Sequence, residues 1–187
     1  MSLVWVAGNC GAGKTTICRA LRERGQEAFD VDDHELTWWF DKETGEKVIK
    51  PSISDGRSPV WHEQHIWKVD RGWVEEVAQQ AGERVIFMCG LADNYEELSD
   101  LADTTMYLVV RKKVLGRQLL TRETGNFGKD PDEFDFILAR HKALKRKYLE
   151  MGAIPIDVSR SLGEVVDEII NISQPSIVSA ANELQVM

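Results

Sequence analysis

Gly8-Asn9-Cys10-Gly11-Ala12-Gly13-Lys14-Thr15 satisfies the pattern G-x-x-x-x-G-K-[ST] at every specified position. It follows the apolar run Leu3 to Ala7, which suits a buried strand, and opens a helix-like stretch from about Gly13 to Arg24. A phosphate-binding loop needs that context. Glycines let backbone N–H groups turn toward an anion, a helix N-terminus adds partial positive charge, Lys14 reaches the outer phosphates and Thr15 offers a hydroxyl to Mg²⁺. At ~7% glycine, chance yields the pattern in roughly one chain of this length in a hundred or more. Gly8, Asn9, Cys10, Gly11, Ala12, Gly13, Lys14, Thr15 and Thr16 are therefore the expected nucleotide site, against the alternative of a glycine-rich structural turn.

Working outward, apolar runs alternate with helix-like stretches, the pattern of a parallel sheet with crossover helices. Leu3 to Ala7, Ala28 to Val31, Arg84 to Cys89, Thr105 to Val110 and Ala153 to Val158 are the five expected strands, and long apolar runs fit central parallel positions. Helices are expected over 13–24, 62–80, 94–101, 112–121, 132–151 and 162–172, with Pro131 opening the fifth and Gly152 ending it. The fold class is thus α/β, a five-stranded parallel sheet flanked by helices in three layers. Asp41 to Gly45 suits a turn between Trp38-Trp39-Phe40 and Val48-Ile49. One domain over 1–172 is expected, with an insertion at about 34–82, a lid at about 122–131 and a tail over 173–187 that either frays or docks.

The 187 residues, 43% hydrophobic and 29% charged, suffice for an ordinary core and exclude wholesale disorder. No stretch approaches ~18 apolar residues, so no membrane span is expected. Met1 to Ala7 shows no basic leader, and a cytoplasmic protein is expected. A net charge of −8 disfavours nucleic acid, whose binding is dominated by basic stripes. Cys10, Cys18 and Cys89 have no metal-ligand spacing and suit reduced thiols. A small-molecule partner, no membrane, and a monomer or homodimer are expected.

Phe29-Asp30-Val31-Asp32-Asp33 ends the second strand. Residues two apart share a strand face, so Asp30 and Asp32 are expected to project together, beyond the carboxyl ends of the strands where α/β ligands bind. There they suit hydrated Mg²⁺ and an acceptor hydroxyl, unless Asp32 or Asp33 merely caps the next turn. Arg117 and Arg122 are offset by about 140° around a helix, so they suit two tasks: stacking on a base, and swinging onto phosphates from a glycine-containing loop that excludes water. A solvated basic face is the alternative. Arg57 and Arg71 are candidates to clamp an acceptor phosphate or carboxylate, or are surface charges. Trp38, Trp39, Trp61, Trp67 and Trp73 form either stacking walls or core. His62 and His65 have helical metal spacing but no third ligand.

In this order, the pieces resemble the shikimate-kinase and adenylate-kinase-like branch of the small P-loop kinases, a P-loop NTPase fold, over roughly Leu3 to Ile172. The resemblance implies that Asp30 holds Mg²⁺ through water and Asp32 takes the acceptor hydroxyl, with Asp33 beside it. It implies that Arg117 packs on adenine, that Arg122 is a lid arginine, and that the loop Asp157 to Leu162, including Arg160, wraps adenine. Gly90 stands where shikimate kinases have a glycine triplet, but the segment here is Cys89-Gly90-Leu91-Ala92-Asp93. Leu144 precedes Tyr148 where those kinases carry an arginine, and both departures remove contacts to an acidic substrate. The implied activity is transfer of a phosphoryl group from ATP, with Mg²⁺, to a hydroxyl of a nucleoside, sugar or sugar acid. Nucleoside monophosphate phosphorylation and a nucleotide-binding regulatory role are the rivals.

Overall fold

A computed structural model of the chain describes residues 2–33, 37–52, 57, 60–82, 84–123 and 127–174. In chain order the elements are β1 (Ser2–Ala7), α1 (Lys14–Glu23), β2 (Glu27–Asp30), β3 (Thr37–Asp41), β4 (Lys47–Val48), α2 (Trp61–Gln64), β5 (His65–Val69), α3 (Arg71–Ala81), β6 (Val85–Cys89), β7 (Thr104–Val109), α4 (Lys112–Thr121), α5 (Pro131–Glu150), β8 (Ile154–Asp157) and α6 (Leu162–Ser173). The expected fold class is the one observed. β2-β6-β1-β7-β8 is a parallel sheet with β1 at its centre. Leu3 to Ala7 are wholly buried because both faces are covered. Val4 and Val6 meet Ile17, Leu21, Leu115 and Ile169 of α1, α4 and α6. Leu3, Trp5 and Ala7 meet Val74 and Val77 of α3 and Tyr148 of α5. The period-two alternation of one strand thus defines three layers.

The second sheet is antiparallel, in the order β4-β3-β5. The expected hairpin is present, with Trp39 opposite Val48 and Phe40 opposite Lys47. Asp41 closes it, its carboxylate accepting the Glu43 and Thr44 N–H groups at 2.9 and 2.8 Å. β5 corrects the expected helix over 62–80. His65-Ile66-Trp67-Lys68-Val69 is rich in β-branched and aromatic residues, and its register puts Trp67 opposite Trp39. Its other edge is closed by the loop after β6: Asn94 Oδ1 accepts from Val69 N and Asn94 Nδ2 donates to Val69 O, both at 3.0 Å. Asp70 then caps α3, accepting the Trp73 N–H at 2.8 Å, so after the short α2 the helix resumes only at Arg71.

The expected helix over 94–101 is instead two single 3₁₀ turns, Tyr95–Glu97 and Ser99–Leu101. Tyr95, Leu98 and Leu101 all pack on the α3 side of the core. A spacing of three matches three residues per turn. No helix among the described residues is long and apolar enough to cross a membrane. The tail residues 175–187 lie outside the described residues.

Candidate phosphoryl-transfer site

The phosphate loop joins β1 to α1 at the centre of the parallel sheet. Gly11 and Gly13 take φ of +83° and +96°, the left-handed region that L side chains rarely enter. A Cβ on Gly11 would also meet Leu119 Cδ2 at 2.9 Å. Gly13 caps α1 without a side-chain hydrogen bond, and no acid stands in its first turn. The first amides of α1 therefore have no side-chain competitor for an anion. Thr15 and Thr16 are exposed there. Lys14, 6% exposed, lies 3.1 Å from Asp32 Oδ2 and 3.5 Å from the Asn9 carbonyl. Burial pushes its ammonium down, but Asp32 first, with Cys10 and Asp30 adding to it, more than offsets this and holds Lys14 above its ordinary value, charged at neutral pH.

β2 stops at Asp30, and Val31–Asp33 is a 3₁₀ turn. Asp30 and Asp32 come together, but through that turn rather than as alternate residues of one strand: the Asp32 N–H donates to Asp30 Oδ1 at 3.3 Å. Asp32 Oδ1 accepts the Leu91 N–H at 3.2 Å, which ties β2 to the end of β6. The Asp33 side chain lies outside what is described. Gly90 has a packing reason of its own, since a Cβ there would lie 2.4 Å from Val31 Cβ.

Arg117 is exposed on α4, while Arg122, just past its end, donates to the Phe127 carbonyl. Cys10 Sγ is 3.9 Å from that same carbonyl, so the α4–α5 connection rests on the phosphate loop. Arg160 is exposed, pairs with Glu168 and donates to the Asp157 carbonyl at 3.3 Å. Ser161 and Glu164 form a capping box that starts α6 beside it.

The structure does not leave Arg57 open to an acceptor. Its side chain is 2% exposed and is held by Asp130, Asp132 and Glu133 at 3.1, 3.2 and 2.9 Å. Arg71 is a surface residue paired with Asp100 and Glu75. The two histidines are no metal pair. His65 stacks on Trp61 at 3.9 Å. His62 is enclosed by Trp39, Trp61, Phe127 and Phe136, with ring centroids 5.0 to 5.4 Å away. Trp73 packs edge-on to Phe29. Trp39 meets Trp61 and Trp67 at 5.0 and 5.3 Å.

Sequence reasoning missed what braces the loop. Asn9, 1% exposed, accepts the Cys10 N–H at its Oδ1 at 2.8 Å, while its Nδ2 donates to the Ile137 carbonyl at 3.1 Å and lies 3.3 Å from His141 Nδ1. His141 Nε2 reaches the Val110 carbonyl at 3.1 Å. Burial pushes the His141 ring below its ordinary value, so it is neutral, with Nε2 the donor. The motif leaves position 9 free, so only a weak signal existed: His141 follows Glu133 and Ile137 on the buried stripe of α5.

The residues present fit a nucleotide phosphate chain: uncapped amides, left-handed glycines and a charged, buried lysine. They also fit Mg²⁺ as such sites hold it, by one hydroxyl and one or two carboxylates besides the phosphates. Among the described residues no cluster of three or more His, Cys, Asp or Glu is placed to hold a metal by itself.

No family model and no curated protein matches the chain. Solved structures do. A shikimate kinase from Bacteroides thetaiotaomicron is 19% identical with a TM-score of 0.56, covering 91% of this chain and 97% of its own. A gluconokinase from Sinorhizobium meliloti 1021 is 15% identical with a TM-score of 0.52, over 100% of this chain and 98% of its own. A sugar kinase from Janibacter sp. HTCC2649 is 19% identical with a TM-score of 0.50, over 91% and 93%. With a parallel sheet ordered β2-β6-β1-β7-β8 around a complete phosphate loop, the chain has the fold of the small P-loop kinases.

Proposed function

We propose that the protein transfers the γ-phosphoryl group of ATP to a hydroxyl of a small acceptor: a nucleoside, a sugar or a sugar acid. One observation carries this reading. Asp32 stands 3.1 Å from Lys14, so the carboxylate suited to an acceptor hydroxyl lies beside the cation suited to the transferred phosphate. Kinases of the solved structures above act on such hydroxyl compounds by their names, which agrees with it.

Lys14 and the first amides of α1 would hold the β- and γ-phosphates. Thr15 would ligate Mg²⁺ directly and Asp30 through water. When bound there, Mg²⁺ would supply neutralisation of the charge on the transferring phosphoryl group. Asp32 would orient the acceptor O–H and take its proton as the new O–P bond forms and the γ-phosphorus separates from the bridging oxygen, leaving ADP. Arg122 would leave the Phe127 carbonyl for the phosphates, and the connection over 122–131 would act as the lid that excludes water. Arg117 and Arg160 would flank the adenine. Asp33 and Gly90 would border the acceptor.

Arg57 is committed to three carboxylates, which tells against a monophosphate acceptor. Three unpaired cysteines fit a reducing, cytoplasmic compartment, and the acidic net charge tells against nucleic acid. A monomer or homodimer would suffice, since every proposed contact comes from one chain. ADP release with Mg-ATP, measured against nucleosides, nucleoside monophosphates, sugars and sugar acids, tests the reading. Acceptor-dependent turnover abolished by Lys14→Ala is expected. Tight nucleotide binding with no stimulated turnover would point to a regulatory protein instead.

A further inference from the structure

Glu133 lies in the first turn of α5, yet its side chain is 2% exposed and its two oxygens serve two different parts of the molecule. Oε1 takes Lys50 Nζ at 2.8 Å and Arg57 Nη1 at 2.9 Å, both from the stretch between β4 and α2. Oε2 accepts the Gly128 N–H at 2.6 Å. The neighbouring Phe127 carbonyl receives Arg122 and approaches Cys10 of the phosphate loop. Lys50 Nζ also lies 4.5 Å from the centre of the Phe127 ring. Removing one partner from a buried ionic cluster leaves a charge uncompensated, which costs far more than the pair gains by forming. The second sheet and the α4–α5 connection are therefore held, or released, together.

We propose that Glu133 is a positioning residue that ties the tryptophan-rich insertion to the connection carrying Arg122, so that nucleotide at the phosphate loop and order in the insertion depend on each other. The proposal rests on the phosphoryl-transfer reading, in which Arg122 turns from the Phe127 carbonyl to the phosphates. Such coupling is reciprocal: whatever seats the connection also seats the insertion, and an acceptor that orders the insertion seats Arg122. The molecule contains its own reporter. The Phe127 ring is 6.3 Å from Trp39, which is 5.0 Å from Trp61, and neither tryptophan belongs to the phosphate loop.

The experiment titrates Mg²⁺ and a non-hydrolysable ATP analogue into the full chain, following heat by calorimetry and tryptophan emission in parallel. Trp39→Phe identifies the part of the emission change that comes from the insertion. In the unaltered protein that part should saturate with the binding isotherm. In Glu133→Gln it should vanish while heat of binding persists, with affinity weakened about fivefold or more. Should Glu133→Gln fail to fold, Lys50→Gln decides, since Lys50 is a quarter exposed, and it should diminish the same signal. Heat of binding without an insertion signal in the unaltered protein, or a signal undiminished in the folded variants, overturns the proposal alone. No heat of binding in the unaltered protein overturns the phosphoryl-transfer reading and the proposal with it.

Discussion

Lys14 Nζ and Asp32 Oδ2 stand 3.1 Å apart, joining the first residue of α1 to the turn that follows β2. Both depend on the pair. Lys14 is buried and stays protonated because Asp32 counters its desolvation, and Asp32 is drawn over the phosphate loop by the cation.

Asp32→Asn keeps an acceptor for the Leu91 N–H but leaves Lys14 buried without its carboxylate. Its ammonium should then fall below its present value. Only charged Lys14 attracts phosphate, so the affinity for an ATP analogue should decline with rising pH at a lower pH than in the unaltered protein. Calorimetric titrations across pH 7 to 10 read this shift. Asp32 is 35% exposed, so solvent screening keeps the stability loss to about 1–2 kcal/mol.

Gly90→Ala would set a methyl group 2.4 Å from Val31 Cβ. Val31 is wholly buried, and its Cβ moves only with its backbone. Overpacking of this kind costs about 1–3 kcal/mol, to be read as a lowered midpoint of urea unfolding. The Gly90 carbonyl accepts from Trp5 Nε1 at 3.2 Å, and the next N–H is held by Asp32. The same variant should thus weaken phosphoryl transfer by shifting Asp32, a loss that a remote destabilising substitution of equal cost would not cause.

His62 is enclosed by aromatic rings and lies 3.9 Å from Glu133. Burial pushes it down to about 4, with Glu133 and Asp132 opposing and Lys50 and Arg57 reinforcing the shift. Between the ordinary value near 6.5 and about 4, the unfolded chain binds a proton that the folded protein refuses. Stability should therefore fall as pH drops through that window and level off below it. The His62 contribution is about 3 kcal/mol. Urea unfolding at pH 7, 5.5 and 4 should show the decline, and His62→Phe should remove most of it. His141, also held low by burial, accounts for a remainder of the same sign.

The sequence by itself determined the parallel sheet and the phosphate loop, because both are written locally. A buried strand is a short apolar run, and a left-handed turn into a helix is a glycine pattern within eight residues. α4 even spans Lys112–Thr121 as periodicity alone predicts. The tertiary structure decided which residues share a charge or a ring across the chain. Arg57 looked free for an acceptor and was taken by three carboxylates of the segment 130–133. His62 and His65 looked like a helical pair until β5 separated them by pairing with β3. The loop's second residue, which its motif leaves open, proved to be the Asn9 that binds α5 to the phosphate loop. Such partners stand 73 to 132 positions apart, and no local propensity reports them. They are chosen by burial, where a charge or an amide must find whatever complementary group the packed elements bring within 3 Å or so.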